Sequence, residues 1–382
     1  MKLISFYAWA LVVGTVVGAG IFGIPYALAQ SSFYLGILYI CVLAFAVTIV
    51  HLCLAEITLR TQAKLHLVGY IKKYLGVKAG VLMTFIMVVA LPSALLIYMI
   101  LGGQFLANIF GGASYAWSLV FLFLAGSLIL VGSRPVPKTD LVMSGLLVLM
   151  MILVLIRAWP KICFDNLSSF NLSASFLPYG IVLFSLIGNM AILELKDLFK
   201  KEFKTKRGGI QMRQVIVLGT LVPALLYIVF ALAVVGVSGS QTSTEAIGGL
   251  RSFLGQPIVI IVSIFGFLAV FISFMVFARA LKKMLYLDYQ ISQKWGLALA
   301  LGLPLVAFLA GLRNFIVIIG FTGVLLSGLE VILILLAFLY ARRRKKSERQ
   351  PEMILKIPSW LVYCLIAIFV LGIIYQIYYF IK

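Results

Sequence analysis

Histidine and acid are what this sequence holds least of. Its 382 residues include two histidines, His51 and His66, with 11 Asp and Glu and four cysteines. Two histidines without an HExxH spacing, and no comparable pair of acids, leave little for metal hydrolysis or general acid–base work. An integral-membrane enzyme, such as an acyl or glycosyl transferase, is therefore disfavoured. Cys41, Cys53, Cys163 and Cys364 have no metal-ligand spacing. All but Cys163 fall in apolar runs, where cysteine behaves as a small hydrophobe. Long polar stretches are also missing. The connectors near 158–174, 196–211 and 238–256 are each under about 20 residues, too short for a folded extramembrane domain.

What is present is apolar: 64% of the chain is hydrophobic and 11% charged. Apolar runs of roughly 18 residues or more recur throughout, as in a polytopic membrane protein. Residues 1–10 lead into the first run without a small-residue cleavage site, so that run is expected to stay as a span. The hydropathy pattern predicts an all-α integral membrane protein with eleven spans: 5–29, 33–57, 79–108, 114–132, 140–158, 175–195, 212–237, 257–281, 296–312, 314–340 and 358–381. Each is near the ~20 residues that cross ~30 Å of hydrocarbon.

The net charge of +20 reports orientation before it reports a partner. With the N-terminus in the cytoplasm, 26 of the 31 Lys and Arg fall on the cytoplasmic side, leaving only Arg157, Lys161, Arg251, Arg313 and Lys382 outside. That asymmetry predicts a multi-pass protein of the cytoplasmic membrane, N-terminus in and C-terminus out, and accounts for the basic balance without nucleic acid. The run "ARRRKKSER" at 341–349 then reads as a stop-transfer flank, with anionic-lipid contact as a weaker addition.

Two places break the apolar pattern with poor helix formers. In "GTVVGAGIFGIPYALAQ" (14–30), Gly14 and Gly18 form a GxxxG pair suited to close helix packing. Gly20, Gly23 and Pro25 cluster along the chain instead of lining one face, which predicts a local break. A second interruption, Gly188–Asn189 in "LFSLIGNMAILELK" (183–196), lies about 170 residues later at the same depth. Interrupted helices at corresponding positions of two halves point to an inverted-repeat secondary transporter. Five spans per half force opposite orientations: 1–158 forms the first repeat, 175–340 the second, and 358–381 an additional helix. A broken helix frees N–H groups at one half-helix and C=O groups at the other, which match the carboxylate and ammonium of an amino acid.

The stretches "GTVVGAGIFGIP", "LPYGIVLFSLIGNMAILELKDLFKK" (177–201), "STEAIGGL" (243–250) and "FGFLAVFISFMVFARALKKMLYLDY" (265–289) resemble, in order and spacing, the amino acid/auxin permease group. The likeness extends to its aromatic (tyrosine/tryptophan) amino acid permease relatives, within the amino acid, polyamine and organocation transporter superfamily. It covers about residues 5–340. The resemblance implies that backbone at Val17, Gly18, Ala19, Gly20, Ile21 and Phe22, and at Phe184, Ile187, Gly188 and Asn189, holds the charged ends of an amino acid substrate. Phe184 and Phe274 would shape a pocket for an aromatic or large neutral side chain. Sodium users of this fold bind the ion between first-span carbonyls, here Gly14 and Val17, and eighth-span positions, here Ala269, Ile272 and Ser273. Ile272 stands where sodium users commonly carry a hydroxyl, so proton coupling is expected over sodium, with no other cofactor.

A coupled proton needs a titratable group inside the membrane. Glu330, about ten residues from the cytoplasmic end of span 10, is the deepest acid and the coupling candidate. His51 and Glu56 lie toward the cytoplasmic end of span 2, where snorkelling or pairing with Arg60 is the expectation. Glu194 is expected to pair with Lys196. The fifth-span run 141–156 contains no lysine to replace sodium. The leading expectation is a proton-driven amino acid importer; a sodium symporter of the same fold or a non-transporting sensor remain the alternatives.

Overall fold

Hydrocarbon supplies no partner for a backbone amide, so a spanning chain must satisfy its hydrogen bonds within each segment. The computed structural model describes residues 3–130, 139–204, 207–343 and 348–381, and among these the chain is helical with no strand. Lys2, Arg134, Lys138, Lys206, Arg344, Lys345, Lys346 and Lys382, all part of the charge count above, lie outside the described residues.

The helices in chain order are α1 (Leu3–Val16), α2 (Gly20–Gln30), α3 (Phe33–Arg60), α4 (Leu67–Leu75), α5 (Val77–Phe110), α6 (Ser114–Leu130), α7 (Thr139–Ala158), α8 (Leu177–Leu186) and α9 (Asn189–Leu198). They continue as α10 (Gly208–Ser238), the short α11 (Arg251–Leu254), α12 (Gln256–Tyr289), α13 (Gln293–Leu309), α14 (Phe315–Phe321), a π-helical turn Thr322–Ser327, α15 (Gly328–Arg343) and α16 (Ser359–Ile381).

Among the described residues, seven helical stretches are long and apolar enough to cross a bilayer. Ile4–Val16 with Gly20–Gln30, bent by 51°, makes an eighth. This is fewer than the eleven expected, for a plain reason. α6 and α13 have 17 residues each, about 26 Å of helix, less than a full hydrocarbon thickness. α7, at 20 residues, begins beside the undescribed 131–138.

α1 and α2 pack against α10 and α8; α3 packs against α10, α8, α9 and α15; α5 lies along α12 and α6. The interior is thus built around the two interrupted helices, and their flanks, not lipid, surround the exposed backbone. α16 is peripheral: only 22% of its apolar window is buried, against 72% for Phe315–Arg343.

Residues 348–357 return across the end of the bundle where α3 finishes. Leu355 N–H donates to Glu56 Oε2 at 2.7 Å, and Arg342 donates to Ile357 O at 2.6 Å. Gln62 N–H donates to Glu348 Oε2 at 3.0 Å, and Lys73 pairs with Glu348 at 2.5 Å. The run read as a stop-transfer flank therefore also ties this strap down through Arg342.

Candidate functional site

The first break is narrower than its glycines and proline predict. Helical bonding stops over Val17–Ala19, and α2 resumes at Gly20 with Gly23 and Pro25 inside it. Val17 N–H still reaches Val13 O at 2.8 Å, but Gly18 N–H turns to Val16 O at 2.9 Å. Gly14 O thereby loses its helical donor. At the start of α2, Phe22 N–H bonds Ala19 O at 3.2 Å, while Gly20 and Ile21 N–H have no acceptor among the described residues.

The second break falls at Ile187 (φ −70°, ψ 120°) and Gly188 (φ −131°, ψ 27°), between α8 and α9. The two breaks touch. A Cβ on Gly20 would stand 1.9 Å from Ser185 Oγ and 2.8 Å from Ser185 Cα, and one on Gly188 would stand 2.6 Å from Val16 Cγ2. Close backbone approach, more than helix breaking, is what these two glycines permit.

Three side chains secure the junction. The Tyr227 hydroxyl, on α10, lies 2.8 Å from both Val16 O and Ser185 O, the carbonyl ends of α1 and α8. The Tyr98 hydroxyl, on α5, lies against the first break, 3.0 Å from where a Cβ on Gly18 would stand. His51, on α3, accepts from Gly188 N–H at 3.1 Å and meets Thr220 Oγ1 at 2.9 Å.

A small cavity of about 70 Å³ lies against both breaks. Gly18, Ala19, Gly20, Phe184, Ile187, Gly188, Asn189 and Glu330 line it, together with Met87, Tyr98, Phe277 and Thr322. The Asn189 amide donates to Glu330 Oε1 at 2.7 Å. Asn189 Oδ1 and Thr322 Oγ1 are buried without a partner among the described residues. The wall is thus mostly apolar, with a carboxylate and two free hydrogen-bonding atoms set into it.

A larger cavity of about 780 Å³ adjoins it, sharing Thr15, Met87, Met190 and Phe277 as a partition. It extends to Lys64, Leu65 and His66 in the α3–α4 connection and to Arg279 and Lys283 on α12. Gly14, Val17, Ala269, Ile272 and Ser273, the five positions of the candidate ion site, all line this second cavity.

Residues 2–378 match the tryptophan/tyrosine permease family. The chain belongs to that family. Its members are transporters, so the family places this permease outside the enzymes. It is 27% identical over 352 residues, 88% of each chain, to Glutamine transporter 2 of Aliivibrio fischeri. Its fold is that of MhsT, a structure solved in complex with L-phenylalanine, at TM-score 0.61 and 15% identity over 98% of this chain and 99% of that one.

Not every expected residue of the permease turns its side chain to the small cavity. Phe274 does not face the small cavity: it is fully buried with its ring 5.6 Å from that of Phe121, and Phe277, one turn further on, takes the lining position. Val17 lines the larger cavity, and Ile21 and Phe22 turn their side chains into the core, Phe22 edge-on to Phe105 at 4.9 Å. His51 neither snorkels nor pairs with Arg60 but sits fully buried at the second break. Glu56 does pair with Arg60, at 2.6 Å. Lys196 donates to Thr61 O and Gln62 O, while Glu194 lines the larger cavity. Sequence reasoning missed Tyr98, Tyr227, Thr220 and Thr322. The only signal was the seven-residue spacing of Thr220 and Tyr227, which places them on one face of α10.

Proposed function

We propose that this permease is a secondary active transporter importing large neutral amino acids across the cytoplasmic membrane by proton symport. The observation that carries the reading is the contact of two broken helices around a buried cavity, with unpaired N–H groups at Gly20 and Ile21. A substrate carboxylate suits the α2 N-terminus, where free N–H groups and the helix dipole coincide. The ammonium suits the carbonyl ends of α1 and α8. Val17 to Phe22, with Phe184 and Ile187 to Asn189, form the backbone of this site, and the side chain lies toward Met87 and Phe277.

Eleven spans in a five-plus-five inverted repeat, 1–158 and 175–340 with 358–381 appended, underlie the proposal, with N-terminus in and C-terminus out. The larger cavity, bounded by the basic α3–α4 connection, fits an inward-facing state of an alternating-access cycle. Glu330 is the proposed proton carrier, since its only hydrogen-bond partner among the described residues is the neutral Asn189 amide. Sodium is the poorer choice: of Ala269, Ile272 and Ser273, only Ser273 offers a side-chain oxygen beside Gly14 and Val17.

The substrate side chain has two readings. An aromatic chain fits the Phe184 and Phe277 wall; an amide chain fits the unpartnered Asn189 Oδ1 and Thr322 Oγ1, and the named function of the Aliivibrio fischeri relative favours it. Uptake of labelled L-glutamine and L-tryptophan into proteoliposomes tests both the substrate and the coupling. Accumulation driven by an inward proton gradient, lost with a protonophore and unchanged when potassium replaces sodium, is expected. Accumulation that follows a sodium gradient instead refutes proton symport.

A further inference from the structure

We propose that His51 is the residue that positions the second break, and that it does so as a neutral imidazole carrying its proton on Nδ1. The inference rests on the reading of the two breaks as the substrate site. Gly188 decides the tautomer, because its amide N–H can only donate and His51 Nε2 must therefore accept. The Thr220 hydroxyl agrees: it bonds Ile216 O at 3.0 Å and so turns lone pairs toward His51 Nδ1 at 2.9 Å. Nδ1 therefore holds the proton, and Nε2 is an acceptor. The Gly188 N–H fills that acceptor at 3.1 Å.

Gly188 is where α9 begins: its carbonyl accepts from Ala191 N–H at 3.0 Å and Ile192 N–H at 3.4 Å. Holding Gly188 holds the first turn of α9, and with it Asn189 and its bond to Glu330. Thr220 and Tyr227 lie seven residues apart on α10, so one helix face braces both breaks, Tyr227 directly and Thr220 through His51.

A second proton on His51 would set N–H against N–H at Gly188 and release the break. Among the described residues no acid bonds the ring to favour that proton. Glu56, on the same helix, is taken by Arg60 and Leu355 N–H, and Glu330, on α15, by Asn189. His51 thus serves as a fixed acceptor and not as a carrier of the coupled proton.

The chain has two histidines, so 15N-histidine labelling of the purified protein yields two imidazoles to observe. The ring that vanishes in His51→Gln should show the neutral Nδ1–H pattern, unchanged between about pH 5 and 8. An Nε2–H pattern, or an imidazolium in that range, overturns the proposal. The spectrum needs no substrate, so it is scored independently of the substrate-site reading.

Uptake of L-glutamine or L-tryptophan, whichever the wild type accumulates, supplies the second arm. His51→Gln, whose amide can accept from Gly188 and donate to Thr220, should keep KM within about threefold. His51→Leu orphans a buried N–H and should raise KM by about 10- to 100-fold, with a smaller change in kcat. Equal KM values in the two variants also overturn the proposal; if neither inserts, His66→Gln assigns the remaining ring to His51 and its spectrum decides.

Discussion

Replacing Gly20 by alanine adds one methyl group at the point where the two breaks meet. That methyl would lie 1.9 Å from Ser185 Oγ, 2.5 Å from its Cβ and 2.8 Å from its Cα. The oxygen can rotate away, but the Cα belongs to α8 backbone. Restoring ordinary contact there parts the breaks by at least about 0.6 Å, and overpacking of this kind costs about 1–3 kcal/mol. A displacement near 1 Å in a positioned site costs about 100-fold, so Gly20→Ala should weaken substrate binding by about 10- to 100-fold while the protein still inserts. Gly302→Ala is the control, because nothing lies within 4 Å of its added Cβ; it should be neutral or gain up to about 1 kcal/mol of helix propensity. Ser185→Gly in the Gly20→Ala background should recover part of the loss, since Cβ and Oγ go but Cα remains. Binding is read from amino-acid-dependent thermal stabilisation of purified protein and uptake from proteoliposomes. Wild-type affinity in Gly20→Ala, or an equal loss in Gly302→Ala, would refute the reasoning.

Tyr227→Phe removes the one hydroxyl shared by Val16 O and Ser185 O, and should lower thermal stability by about 1–3 kcal/mol and weaken binding together. Glu330→Gln should abolish gradient-driven accumulation while leaving counterflow exchange of the same amino acid measurable; intact accumulation would move the coupling elsewhere. Glu56→Ala leaves Arg60 and Leu355 N–H without their acceptor, so the strap at 348–357 should be cleaved faster in limited proteolysis, with a loss of about 3–5 kcal/mol. The hydrogen bond from Lys73, then that from Gln62 N–H, hold the Glu348 carboxyl below its usual range. A depressed folded pKa means the stabilisation is present above the unfolded value near ~4.3 and is lost as pH falls through the folded one. Exchange protection of the Gln62 amide should therefore persist from neutral pH down to about pH 5 and fall only below it.

Much of this site was legible because hydrocarbon punishes unsatisfied backbone. Glycine clusters at 14–23 and 188 have no reason to interrupt apolar runs unless the freed groups are enclosed, and both breaks fall within those clusters. Glu330 was legible for the same reason, as a buried acid in a lipid-depth segment. What could not be read was rotation about the helix axis. Phe274 and Phe277 differ by three residues and a modest angle, and nothing in an all-apolar run says which faces the cavity. His51 lies five residues from Glu56, which faces Arg60 and the strap, yet it turns to the second break. Such contacts depend on the crossing of α3 with α9 and α10, which hydropathy does not encode. Tyr227 stood among many aromatic residues, and only its hydroxyl partners, the carbonyls of Val16 and Ser185 at the breaks, distinguish it.

The central claim is that backbone at the junction of the breaks holds the charged ends of an amino acid. Solid-state NMR dephasing between the 13C-carboxylate of a bound L-amino acid and the 15N of Gly20 and Ile21, in protein reconstituted in lipid, measures this directly. The account predicts a carbon–nitrogen distance under about 4 Å to at least one of the two amides, the span of a single N–H···O bond. Binding without dephasing at either amide would contradict it.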